Sequence, residues 1–107
     1  MRQETFYITK NSPFVQDITV KDGDQPRDLT GYVAEMFIAK YFGSETRYSV
    51  PVVVHGAPTN GVLHISINDE GTGLLPSGIM HYTIYLQPPE DDRYVLLQGQ
   101  VIIIPSI

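Results

Sequence analysis

Three histidines, His55, His64 and His81, are the side chains of this chain best suited to holding a metal or moving a proton. Pairing of a strand over residues 62–68 with one over 79–87 would set His64 and His81 opposite each other, off the core face. A zinc centre needs a third and a fourth ligand, and the nearest carboxylates along the chain, Asp69 and Glu70, fall beyond the strand end. Solvent-facing or interface histidines fit better, and no metal or cofactor is expected. Asp22-Gly23-Asp24 with Asp28 has the carboxylates and sharp glycine turn of a calcium loop but lacks the downstream bidentate glutamate; turn chemistry accounts for it. Glu90-Asp91-Asp92 reads as solvated acids at a hairpin tip, which discourage aggregation. Ser44, Ser49, Ser66, Ser77 and Ser106 lack the flanking glycines of a nucleophile elbow. Gly71-Thr72-Gly73 lacks the lysine and following helix of a phosphate-cradling loop. No motif announces a reaction, and a non-enzymatic protein is expected.

The elements that must position these residues are strands. Runs rich in Val, Ile, Tyr, Phe and Thr recur between eight prolines and nine glycines, the spacing of an all-β sandwich or barrel. The first strand covers residues 5–9 and is closed by Asn11-Ser12-Pro13. Phe14, Ile18 and Val20 then share a face against Asp17, Thr19 and Lys21, a period of two, with Gln16 at the edge of the apolar face. Residues 22–26 supply a turn and Asp28-Leu29-Thr30-Gly31 a second corner. Beyond it Tyr32, Ala34, Met36 and Ile38 face one way, and Val33, Glu35, Phe37 and Ala39 the other. Residues 46–55 read as an interrupted strand with Pro51 at an edge or bulge. Asn60-Gly61 is a two-residue turn signal, followed by a core face of Leu63, Ile65 and Ile67. Gly71 and Gly73 disfavour helix over residues 69–75, so a loop containing a short 3₁₀ turn is expected. Met80, Tyr82, Ile84 and Leu86 alternate inward against His81, Thr83, Tyr85 and Gln87. The last strand is apolar on both faces: Gly99, Val101 and Ile103 close the sandwich, while Ile102 and Ile104 need a cover.

At 107 residues the chain is expected to form one domain over residues 1–107. Its net charge is −5, and Arg2, Lys10, Lys21, Arg27, Lys40, Arg47 and Arg93 are too scattered for the clustered cations that nucleic acid requires. The absence of cysteine excludes a disulfide framework and thiolate metal sites. Residues 1–4 lead into a strand without an apolar signal segment, and no stretch approaches the roughly 20 apolar residues of a helical membrane span. Synthesis in a host cytoplasm is expected, with neither nucleic acid nor membrane as partner.

Three landmarks stand in fixed order. Asp28-Leu29-Thr30-Gly31-Tyr32 enters one alternating strand, Leu75-Pro76-Ser77-Gly78 enters another with Tyr82, and Leu96-Leu97-Gln98-Gly99-Gln100-Val101 runs on to Pro105. From about residue 14 to 105 this order resembles the immunoglobulin-like domains of tailed-phage virion proteins, including the amino-terminal domain of the baseplate upper protein family. The resemblance implies an all-β, immunoglobulin-like antiparallel β-sandwich of seven or eight strands. It also implies attachment of one virion part to another, often as the anchoring end of a longer receptor-binding or fibre protein. Family members commonly place an alanine-rich helical turn before Leu-Pro-x-Gly, whereas Asp69-Glu70-Gly71-Thr72-Gly73 is glycine-rich. Ending at Ile107 would also leave no room for a receptor-binding module.

Phe37, Tyr41, Phe42, Tyr48, Tyr85, Ile102 and Ile104 are expected off the core face or in loops, more apolar surface than a lone small sandwich needs. Such an excess points to a protein interface. The expected role is a structural protein of a phage virion, bound to other virion proteins, in multiple copies or as a homo-oligomer. Tail, neck, baseplate or fibre attachment is one placement and capsid-surface decoration another. A carbohydrate-binding sandwich is the alternative of another class, with Tyr41, Phe42 and Tyr48 as a stacking platform for sugar rings. Gathering of those aromatics on one loop would favour glycan contact; dispersal over opposite faces would favour assembly.

Overall fold

A computed structural model describes residues 4–41 and 47–105. The strands are β1 (Phe6–Thr9), β2 (Phe14–Thr19), β3 (Lys21–Asp22), β4 (Gln25–Pro26), β5 (Val33–Ala39), β6 (Arg47–Val50), β7 (Val52–Val54), β8 (Val62–Ile67), β9 (Gly78–Gln87) and β10 (Tyr94–Ile104). A five-stranded sheet in the order β1-β10-β9-β5-β6 faces a three-stranded sheet in the order β2-β8-β7, and β3 and β4 form a separate short hairpin. Eight strands thus make the two layers.

Alternation fixes what lies between the layers. Met36 and Ile38 of β5, Leu63, Ile65 and Ile67 of β8, Met80, Tyr82, Ile84 and Leu86 of β9, and Leu97, Val101 and Ile103 of β10 are all buried. Burying such side chains contributes roughly 1.5–3 kcal/mol each before entropy is set against it. Ile18 and Val20 are buried and Phe14 and Gln16 partly so, as the period of two over 14–20 predicts.

The antiparallel expectation fails at one strand. β1 runs parallel to β10, with Phe6 opposite Val101 and Thr9 opposite Ile104. The cause is the link to β2: after Thr9 the chain turns at Asn11, φ 64°, and drops into the other sheet instead of folding back as a hairpin. Tyr82 holds the start of β1. Its hydroxyl donates to the Glu4 carbonyl at 2.6 Å, and its ring stacks on Phe6 with centroids 4.7 Å apart. Gly99 makes room for this approach, since a Cβ there would collide with the Glu4 carbonyl oxygen. The opposite margin crosses in the same way. β6 pairs with β5 and β7 with β8, so the chain changes sheets at Pro51, which has no N–H to give either ladder.

Residues 69–75 correct the sequence expectation. Asp69–Gly73 is one turn of α-helix, α1, capped by the Asn68 side chain, which accepts from the Gly71 N–H at 2.7 Å. The glycines that argued against helix fit close quarters: a Cβ at Gly71 would lie 2.7 Å from Ile67 Cγ2, and one at Gly73 2.6 Å from Asn11 Oδ1. Thr72, fully buried, donates its hydroxyl to the Ser12 carbonyl at 2.8 Å and locks the turn onto the β1–β2 link. The departure noted from the virion-domain pattern is therefore one of composition, since the helical turn is present. Asn60-Gly61 does not form a two-residue hairpin either. Pro58–Asn60 is a 3₁₀ turn ended by Gly61 at φ 68°. At the second corner the Asp28 carboxylate accepts from the Thr30 hydroxyl at 2.6 Å and from its N–H at 3.0 Å. These bonds, the hydroxyl's first, hold its pKa below the ordinary 3.8.

Candidate protein interface

The outer face of the five-stranded sheet carries most of the apolar residues that the core leaves over. Register places Tyr7, Ile102 and Ile79 side by side on β1, β10 and β9, with Ile104 one step further along. Tyr7 is 62% exposed, Ile79 60% and Ile104 41%, and Ile102 is half-buried between its neighbours. Tyr41, two residues past the end of β5 and 62% exposed, leaves the sheet with Lys40 Nζ 6.0 Å from its ring centroid. Tyr7 and Ile79 were missed from sequence. The signal was available in parity: each sits on the strand face opposite a buried neighbour, Ile8 or Met80.

A second group lies across the same face. Phe37 of β5 and Tyr85 of β9 meet edge-on, with centroids 6.1 Å apart and planes at 67°. The Arg47 guanidinium lies 4.6 Å from the Phe37 centroid and that of Arg93 4.2 Å from the Tyr85 centroid. Arg93 also reaches Glu35 at 3.6 Å. Off-core placement of Phe37 and Tyr85 follows from alternation, but their guanidinium covers do not, because β6 and the segment before β10 reach them only through tertiary pairing. Gln98, Gln100, Thr83 and His81 separate this group from the Tyr7–Ile102–Ile79 row.

The remaining sequence candidates fall elsewhere. Tyr48 sits opposite Ile38, on the inward side of β6, and packs partly buried against the core. Phe42 lies outside the described residues. Tyr41 and Tyr48 therefore do not share a face, as a sugar-stacking platform would need. His64 and His81 are not opposite each other, because β8 and β9 belong to different sheets. His64 instead lies across from Asp17, Nδ1 to Oδ1 2.6 Å, and its ring stacks on His55 at 5.2 Å. Among the described residues, no three His, Cys, Asp or Glu side chains gather as a metal centre would require. A cleft of about 580 Å³ between β2 and β10 is lined by Glu4, Asp17, Lys21, Leu96 and their neighbours.

Strand order defines the class. The three-stranded sheet β2-β8-β7 corresponds to strands B, E and D of an immunoglobulin domain, and β10-β9-β5-β6 to G, F, C and C′, so the fold is an immunoglobulin-like β-sandwich. More narrowly, the chain belongs to the LtfC-like β-sandwich domain family, which it matches over residues 1–103. No curated protein matches it in sequence. In structure it is similar to the N-terminal domain of phage TP901-1 ORF48, at 13% identity and TM-score 0.50, covering 97% of this chain and 99% of that one. The ZIG-8–RIG-5 IG1–IG1 heterodimer gives 7% identity and TM-score 0.44, over 96% of this chain and 83% of the other. The extracellular domain of the voltage-gated sodium channel beta4 subunit gives 13% and 0.41, over 98% and 93%.

Proposed function

We propose that this chain is a non-enzymatic structural protein of a tailed-phage particle, which holds a neighbouring virion protein against the outer face of its five-stranded sheet. The observation that carries the proposal is the row Tyr7–Ile102–Ile79 with Ile104 beside it, apolar and at least partly exposed on one sheet face. Contiguous exposed apolar surface of this kind marks contact sites. Its fold likeness to the N-terminal domain of phage TP901-1 ORF48 supports a place in a virion. The mechanism is association: water leaves the apolar row as the partner covers it. Particle symmetry presents many copies, so a modest affinity at each site suffices through avidity. Tail, neck or baseplate attachment is the placement adopted; capsid-surface decoration would use the same face against another partner. Separation of Tyr41 from Tyr48 weighs against the carbohydrate-binding alternative.

The test is Ile102→Glu with Ile104→Glu, followed by sedimentation, circular dichroism and quantification of the protein in purified particles. The variant is expected to fold like wild type and to be missing from particles. Incorporation at the wild-type level would overturn the proposal. So would glycan binding by the wild type that Tyr41→Ala abolishes.

A further inference from the structure

We infer that the Arg47–Phe37–Tyr85–Arg93 group receives an acidic, extended segment of a different protein, an inference that rests on the attachment role proposed above and names the chemistry of the partner. Two carboxylates of the segment seat on the two guanidinium groups, and an apolar side chain between them lies over the Phe37–Tyr85 pair.

Charge is the first argument. The chain carries −5 overall with seven Lys and Arg in all, yet two of the arginines are brought to one face, Arg47 beside Ser49 and Arg93 beside Glu35, the cross-strand partner of Tyr85. Among the described residues the charge of Arg47 meets no carboxylate, and that of Arg93 meets Glu35 alone, at a long 3.6 Å. A second copy is the wrong partner: two such faces related by a two-fold axis would bring arginine groups together, on bodies that each carry −5.

Geometry is the second. Each guanidinium lies over a ring, within 4.6 Å for Arg47 and 4.2 Å for Arg93, so that a carboxylate can approach the N–H edge side-on; at Arg93 it would share that edge with Glu35. Stacking also holds the long side chains in place beforehand, so less rotamer freedom is lost when the carboxylate arrives. Separations of 4.6, 6.1 and 4.2 Å between successive groups put the two guanidinium groups at most about 15 Å apart, within reach of residues i and i+4 of an extended chain at about 3.3 Å per residue. Residues i, i+2 and i+4 of such a chain point to one side. An acid–apolar–acid pattern at that spacing matches guanidinium–aromatic–guanidinium.

The test is a heteronuclear NMR titration of the whole chain with two capped peptides, Thr-Glu-Thr-Leu-Thr-Glu-Thr and its counterpart with Gln for Glu. The Glu peptide is expected to move the Nε–H signals of Arg47 and Arg93 and the ring signals of Phe37 and Tyr85. Binding should weaken about tenfold or more with the Gln peptide, with Arg47→Gln or with Arg93→Gln, and should fall with salt. Both variants change exposed side chains, and their spectra report whether the fold is kept. Equal binding of the two peptides, shifts confined to another face, or no shift at millimolar peptide would overturn the inference. Particle incorporation separates this failure from failure of the attachment role. Normal incorporation of Arg47→Gln/Arg93→Gln with loss of Ile102→Glu/Ile104→Glu refutes the acidic segment alone, whereas normal incorporation of both pairs refutes the role as well.

Discussion

Gly99→Ala tests whether the parallel β1–β10 pairing hangs on the close passage of Glu4 over β10. A methyl group at residue 99 meets the Glu4 carbonyl oxygen well inside contact distance and comes within 3.3 Å of the Tyr82 hydroxyl, so Glu4 must lift away. Overpacking of this kind costs about 1–3 kcal/mol. Loss of the 2.6 Å Tyr82–Glu4 bond adds about 1 kcal/mol. Alanine recovers roughly 0.5–1 kcal/mol relative to glycine in a strand, leaving a net loss of about 1–3.5 kcal/mol. Urea unfolding should show the midpoint falling by about 1 M. The sharper measurement is a double-mutant cycle with Tyr82→Phe, which alone should cost about 1 kcal/mol. If Gly99→Ala already separates Glu4 from Tyr82, the pair should cost less than the sum of the singles by about 1 kcal/mol. Strict additivity would refute the reasoning, because it would mean that the methyl is accommodated without moving Glu4.

Thr72→Val keeps the shape of a fully buried side chain but removes the donor to the Ser12 carbonyl; chemical denaturation should show a loss of about 1–2 kcal/mol. Thr30→Ala should raise the Asp28 pKa toward the ordinary 3.8, measured by carboxyl ¹³C titration. Because the folded value is depressed, the contribution of this corner is present above that ordinary value and lost as pH falls through the folded one; the variant, which keeps the backbone N–H bond, should show a smaller acid-limb dependence. Tyr48→Ala should lower stability by about 1–3 kcal/mol, since the ring packs against the core, while leaving particle incorporation unchanged.

Facing was legible in the sequence wherever a strand kept its period. Phe37 and Tyr85 fell off the core, and Met36, Ile38, Tyr82 and Ile84 inside it, because each side chain reports its own side of the pleat. Pairing was not legible, because parity says nothing about which strand lies next door. His64 and His81 therefore could be set opposite each other on paper while lying on separate sheets. The direction of β1 was hidden for the same reason, as it depends on a crossing at Asn11 that looks like any other turn. Tyr48 was misjudged because Pro51 interrupts the strand and conceals the alternation with Val50, which is buried on the same side. In α1 the glycines suggested loop on propensity, but the Asn68 cap and the Thr72 hydroxyl outweigh the backbone entropy they cost. The arginine covers of Phe37 and Tyr85 come from residues 10 and 8 positions away in sequence, outside any local pattern.

Parallel β1 and β10 have a mechanical meaning. Tension entering before Glu4 and leaving after Ile104 pulls the two strands along their length in opposite directions. The ladder from Phe6–Val101 to Thr9–Ile104 is then loaded in shear, its bonds straining together, where an antiparallel hairpin would open one bond at a time like a zip. Resistance to such a pull is set by the rate of rupture, not by overall stability. Any connection made through both ends of the domain would carry load by that arrangement.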